Sequence, residues 1–221
     1  MPTEWYLSTP KYFSGGESEI MGYAQDGFLE LLEVSPESYL IEVNGIEHKV
    51  IVHQNGADDD SKKVLSVIGT IGIGDIIKHK GKYWLVDTFV DDNRMNDVCI
   101  MSLCNTTMKI LGEPVKTKVG EEPITGKPIY SLIPSAEFLS KCVITNKIKD
   151  ASSEDDAVNL PKGTFLLSIP YTINPLLKEG KNAILFGKDH KILDVDLSKT
   201  YESESGQTKG IIKVLIQRIQ G

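Results

Sequence analysis

Hydrophobic residues recur at three- and four-residue steps over one stretch of the chain, Ile20, Tyr23/Ala24, Phe28 and Leu31/Leu32, with Glu17, Glu19, Gln25 and Glu30 between them. That is the period of an amphipathic helix. Ser14 and Glu17 have the spacing of a capping box, the acidic first turn complements the helix dipole, and Pro36 stops the run. From Tyr39 onward the period is two. Tyr39, Ile41 and Val43 alternate with Leu40 and Glu42, Asn44-Gly45 supplies a tight turn, and Ile46, His48, Val50 and Val52 alternate on the return, which predicts a hairpin over 38–53. Val64 to Ile68 reads as a further strand, and Asp75 to Val90 as a second hairpin around Lys80-Gly81. Its faces are Tyr83, Leu85 and Asp87 against Trp84, Val86 and Thr88. Val98 to Leu111 reads as one long strand.

Between 112 and 133 the pattern changes. Gly112, Pro114, Pro123, Gly126 and Pro128 frame two strands, Val115 to Val119 and Ile129 to Ile133, which predicts a long protruding hairpin and a domain boundary. Strand patterns return at Cys142 to Ile148, Thr164 to Ile169, Ala183 to Phe186, Lys191 to Leu197 and Gly210 to Ile219, with an acidic loop at Ser152 to Asp156 and a single helical turn at Leu176-Leu177. No internal repeat is visible. The expectation is a mainly β chain: an arm and helix over 1–36, a first barrel-like or sandwich-like domain over 37–111, and a second β domain over 112–221.

Composition narrows the function. With 221 residues, 40% apolar and 25% charged, the chain has enough apolar side chains for a packed core. Its 24 Lys+Arg against 31 Asp+Glu, a net −7, argue against gripping nucleic acid through its phosphates. The longest apolar run, Val64 to Gly74, is 11 residues, against about 20 for a spanning helix. The amino terminus has Glu4 and no basic residue before Lys11, so a secretory signal is not expected, nor is a membrane partner. Trp5, Tyr6, Tyr12 and Phe13 around Pro10 are too aromatic for a free tail and are expected on a surface of this chain or a neighbour.

Chemistry-bearing motifs are few. Cys99 and Cys104 lie on opposite faces of a strand and cannot bond each other, and three cysteines make no disulfide framework. The four histidines, His48, His53, His79 and His190, form no ligand pair, so no metal is expected. Gly69, Gly72 and Gly74 are spaced unlike a dinucleotide fingerprint and lead into a hairpin instead of a helix. Asp58-Asp59-Asp60 and Asp91-Asp92-Asn93 lack the alternation of a calcium loop, and Asp194 with Asp196 reads as an exposed strand face. No nucleophile elbow or acid–base pair emerges. The expectation is a protein without cofactor or catalytic residues, with Trp84 as a core or interface anchor.

The run Gly74-Asp75-Ile76-Ile77-Lys78-His79-Lys80-Gly81-Lys82-Tyr83-Trp84-Leu85-Val86, followed by Ile100 to Lys109 with Cys104-Asn105, resembles structural proteins of tailed bacteriophages and prophages of Gram-positive bacteria. Trp5 to Pro10, Asp26-Gly27-Phe28, Leu166 to Tyr171 and Gly210 to Val214 are similar to the same group. The resemblance implies a small β-barrel protein of the head-to-tail connector, assembled in the bacterial host cytoplasm and located in the virion. It implies a homo-oligomeric ring of six or twelve, a portal or adaptor on one side, a tail-terminator or tail tube protein on the other, and DNA passing without specific binding. The interface and structural candidates are Trp5, Phe28, Gly74, Asp75, Gly81, Trp84, Cys104 and Asn105. A tail or baseplate subunit is the alternative within that class, and a cellular β-barrel binding module the alternative outside it.

Overall fold

The computed structural model describes residues 16–56, 59–92, 95–149, 157–203 and 206–219. Helix α1 runs Gly16–Val34, and the capping residue Ser14 and the aromatic segment before it lie outside the described residues. The helix buries Phe28 and Leu32 against Ile51 and Leu65 of the first barrel. Tyr23 and Leu31, also on its apolar stripe, stay exposed.

Six strands close the first barrel in the order β1-β2-β3-β6-β5-β4: β1 (Ser38–Val43), β2 (Ile46–Gln54), β3 (Ser61–Ser66), β4 (Ile76–His79), β5 (Lys82–Asp92) and β6 (Asp97–Leu103). Both expected turns are present, with Asn44-Gly45 at φ 50° and 88° and Lys80-Gly81 at φ 48° and 75°, the left-handed pair that matches the twist of two antiparallel strands. Alternation sends Ile41, Val43, Val50, Val52, Val64, Ile77, Trp84, Val86, Cys99 and Met101 into one core.

The second barrel closes in the order β10-β13-β16-β15-β14-β7. Its strands are β7 (Thr106–Leu111), β10 (Glu137–Thr145), β13 (Thr164–Pro170), β14 (Asn182–Leu185), β15 (Lys188–Glu202) and β16 (Thr208–Arg218). Two further pairs lie outside the barrels, β8 (Pro114–Glu121) with β9 (Pro128–Pro134), and β11 (Lys147–Lys149) with β12 (Ala157–Asn159). Met108, Ile110, Cys142, Leu167, Ile169, Leu185, Ile192, Val214 and Ile216 fill this core.

The two barrels have the same topology. Numbered within each barrel by chain order, both run 1-2-3-6-5-4 with every neighbour antiparallel. The match extends to single hydrogen bonds. Gly74 N donates to Val86 O and Val86 N to Asp75 O; 106 residues further on, Gly180 N donates to Ile192 O and Ile192 N to Lys181 O. Asp75 N to Gly72 O is repeated by Lys181 N to Lys178 O. Barrel closure repeats as well, Val43 opposite Ile77 and Ile110 opposite Ala183. The sequence shows no repeat, and the structure corrects that reading: the chain is a tandem pair of like barrels whose side chains have diverged while the backbone ladder has not.

The stretch 98–111, read as one strand, is two. It breaks at Cys104-Asn105, and β7 is hydrogen-bonded into the second barrel. The barrels therefore part at 104–105, where the sequence pattern had run the first domain on to 111. A continuous apolar alternation cannot distinguish a strand that passes from one core to the next from a strand serving one core.

Trp84 is 3% exposed in the first core, with its Nε1 buried and without a hydrogen-bond partner. Trp84→Ala should destabilise the chain by about 3–5 kcal/mol. Trp84→Phe, which removes an unpaired N–H along with some volume, should cost under about 1.5 kcal/mol. Urea unfolding of the two variants measures the difference.

Candidate functional site

Two residues join the barrels, and both are held on either side. Cys104 N donates to Tyr83 O of the first barrel at 2.9 Å. Asn105 takes Ile144 N on its Oδ1 at 2.9 Å and gives its Nδ2 to Ile144 O at 3.2 Å, so its amide imitates a strand neighbour to the second barrel. Lys141 of β10 lays its Nζ 4.8 Å from the centre of the Tyr83 ring, a cation–π contact across the joint.

The closest approach lies at the Gly72–Asp75 edge of the first barrel. Gly74 has φ +88°, and a β-carbon on it would sit 1.9 Å from Gly210 O; one on Gly210 would sit 2.3 Å from Lys199 O. Only glycine fits either position. Asp75 fixes the edge by accepting Gly72 N on Oδ2 at 2.6 Å and Asn44 Nδ2 on Oδ1 at 2.8 Å. Across the contact, burial and the charge of Asp75 together push the Tyr201 phenol up, and burial, ahead of the nearby Lys199, pushes the Lys213 ammonium down against the pull of Asp196 and Asp87. Leu85 and Ile211 belong to neither core and point outward by strand alternation, yet they are 0% and 2% exposed. The barrel-to-barrel contact covers them. A polar cleft of about 340 Å³ opens at its rim, with Asn44, Ile73 and Asp75 on one wall and Pro170, Tyr171 and Lys209 on the other.

The structure thus puts Gly74 and Asp75 at the contact with Gly210, and half-buried Cys104 with Asn105 in the two-residue joint. Phe28 lies on the buried face of α1, Trp84 inside the first barrel and Gly81 in the β4–β5 turn. Trp5 lies outside the described residues. Gly210 and Ile211 entered the sequence reading as the start of a strand and of a similar segment, not as site residues, although the glycine at 210, left-handed at φ +126°, was itself a signal. Burial pushes the thiols of Cys99, Cys104 and Cys142 up to about 12, which makes them poor nucleophiles. Asp194 and Asp196 do not act as a pair: Asp194 Oδ1 accepts Val195 N, and Asp196 takes both Ser198 N and Ser198 Oγ, which hold its carboxyl below the usual range. Among the described residues no group of three His, Cys, Asp or Glu is placed to hold a metal ion.

The second feature is the arm formed by β8 and β9. It continues the β7–β10 hairpin through Gly112 N to Ala136 O and Ser135 N to Glu113 O, at the position where the first barrel has only Asn44-Gly45. Its register puts Val115, Val119, Ile129 and Ile133 with Thr117 and Ser131 on one face, and Lys116, Lys118, Tyr130 and Leu132 on the other. Both faces are exposed, and Ile124 at the tip is 95% exposed. An isolated two-stranded hairpin is marginal in water, and such apolar surface marks an interaction site.

Gly180 has the same conformation as Gly74, φ +79°, with open space around it. Gly180→Ala should therefore cost only the left-handed backbone penalty of about 1–2 kcal/mol, whereas Gly74→Ala adds the clash with Gly210 and should cost at least about 2 kcal/mol more. Paired thermal melts separate the two. His79, 4% exposed, has its pKa lowered by burial and by Lys80 and Lys62. The folded chain therefore binds fewer protons than the unfolded one below about pH 6.5, and stability should fall as pH drops through that value. His79→Gln should flatten this part of the pH profile of the urea midpoint.

Comparison with known proteins adds ancestry to this geometry. Residues 11–103 match the YomX N-terminal domain and residues 102–217 the YomX C-terminal domain, a division that falls at the two-residue joint. A protein of Bacillus subtilis (strain 168), described as SPbeta prophage-derived uncharacterized protein YomX, is 28% identical over 180 residues, covering 80% of this chain and 82% of that protein. The solved structure of MrkH, titled a novel c-di-GMP dependence transcription regulatory factor, covers 90% of this chain and 83% of its own at 11% identity, with a TM-score of 0.22, too loose a superposition to argue from. Both barrels of the molecule, and the joint between them, fall within the matched domains, and the chain belongs to the YomX family.

Proposed function

We propose that this chain is a structural protein of a prophage-encoded particle, forming a ring in the head-to-tail connector that joins portal or adaptor to the tail and lets DNA pass. The observation that carries the reading is the β8–β9 arm, whose four-residue aliphatic face is left uncovered by the described residues. The prophage origin printed for the Bacillus relative supports it. In this reading the protein works by assembly and not by catalysis: the arms and outer barrel faces bury surface between six or twelve copies, with a tail-terminator or tail tube protein below. The net −7 suits a channel past which DNA slides, because like charge raises the energy of phosphate contact. A tail or baseplate subunit would use the same surfaces. The cleft beside Asp75 favours a binding module less, since both oxygens of Asp75 already serve the fold.

Mass spectrometry and antibody labelling of particles released by prophage induction test the location, and absence from purified particles overturns it. Replacing Glu113–Ser135 by Asn-Gly reproduces in the second barrel the turn that the first barrel has. That chain should fold with a melting temperature within a few degrees of the native one and fail to enter particles; normal incorporation would sink the role given to the arm.

A further inference from the structure

Along the aliphatic face of the β8–β9 arm the side chains are large, small and large again. Val115 and Ile133 stand opposite each other at the base and Thr117 and Ser131 at the middle, with Val119 and Ile129 toward the tip. None of the six can ionise, and all are exposed. A row of sizes that reads alike from either end is what a two-fold contact requires, because such a contact lays a surface on its own copy. Charge points to the same occupant. The arm, 114–134, holds Lys116, Lys118 and Lys127 against Glu121 and Glu122, a net +1, which leaves −8 on the rest of a chain whose total is −7. Bodies of that charge repel at close range, and the arm is the part of each that a second copy can approach.

We infer that in the free protein two copies pair arm to arm about a two-fold axis, aliphatic face on aliphatic face, with the tip of each arm at the base of the other. Thr117 then faces the partner's Thr117 and Ser131 the partner's Ser131, while Val115 and Ile133 cover the partner's Val119 and Ile129. Hydroxyl meets hydroxyl at the middle, so the polar atoms that the pair covers keep hydrogen-bond partners. Laying the arms tip beside tip also matches size with size, but it sets the two acidic bodies side by side. Reversing them holds the bodies apart by the eight residues of β8, about 27 Å, well beyond the ~8 Å over which charges act at physiological salt. It also carries Ile124, 95% exposed at the tip, toward the barrel end of the partner's arm, where Leu139 of β10 is 59% exposed. Six residues a side, against the roughly 20–30 of a stable complex, make the pair weak and reversible. A two-fold contact closes on itself, so association stops at two.

The pair belongs to the chain before assembly and does not depend on the ring reading, which supplies only its consequence: entry into a ring exchanges one occupant of the arm face for another. Sedimentation velocity of the full-length chain over about a hundredfold range of concentration should show the mass rising from one chain toward two. Thr117→Asp and Thr117→Lys each set like charges against each other on the axis. Each should weaken pairing at least about tenfold, with circular dichroism and melting unchanged because Thr117 is exposed. Mixed in equal amounts, the two variants should pair again, one of each. A chain carrying both Thr117→Asp and Ser131→Lys separates the two orientations, since it should stay apart when tip lies at base and pair when tip lies beside tip. A mass of one chain at every concentration, a mass that climbs past two, native pairing by Thr117→Asp, a mixture that pairs no better than either variant, or pairing by the doubly substituted chain overturns the proposal. Pairing by a protein absent from particles leaves the pair standing and removes the connector role; a protein found in particles and monomeric at every concentration does the reverse.

Discussion

Two peptide backbones meet where Gly74 of the first barrel lies against Gly210 of the second, and neither position has room for a β-carbon. The relation between the barrels depends on that approach. It allows Leu85 and Ile211, outward-pointing residues, to leave water, and it brings Asp75 beside Tyr201 and Asp87 beside Lys213. The two-residue joint adds a second tie, because Asn105 is bonded to Ile144 by both ends of its amide.

The duplication explains why residues so different occupy like positions. Trp84 and His190 are equivalent, and each is almost fully buried; Asp75 and Lys181 are equivalent, and one supports the edge through its carboxylate while the other pairs with Glu113. A closed ladder constrains the alternation and the positive-φ turns, whereas an interior needs only the right total volume. Phe186-Gly187, at φ 50° and 72°, does in the second barrel what Lys80-Gly81 does in the first, with an aromatic residue in the left-handed position that no turn preference would select.

What was legible in the sequence was local. The helix period, the Asn44-Gly45 and Lys80-Gly81 turns and the proline-framed hairpin near 112–133 each depend on residues within a few positions of one another, and the structure has all of them. The division between barrels was not legible, because Val98 to Leu111 alternates without interruption and the break at Cys104-Asn105 is made by hydrogen bonds to Tyr83 and Ile144, neither of which is near in sequence. Gly74 and Asp75 stood out through their motif, but their reason for being there lies about 135 residues downstream at Gly210, and pairing of that range leaves no periodic trace. Val67 and Ile68 read as the end of an apolar run; their exposure became visible only once Ser66 was seen to be the last interior residue of β3.

The arm shows how such a chain can offer an adhesive surface without inviting indiscriminate strand addition. Lengthening a hairpin outward from the barrel leaves the closed ladder untouched, so the β7–β10 connection tolerates a long excursion where β1–β2 has two residues. An exposed, β-branched two-stranded ribbon is otherwise a template for edge-to-edge growth. Here Pro114, Pro128 and Pro134 stand at the strand ends, Lys116 and Lys118 lie along β8, and a register shift between Lys118 and Gly120 twists the ribbon near its tip. Each of these spoils pairing at an edge and none covers the aliphatic face. In the proposed assembly the arm is read by its face, and a partner would bring a complementary apolar surface, not merely a free strand.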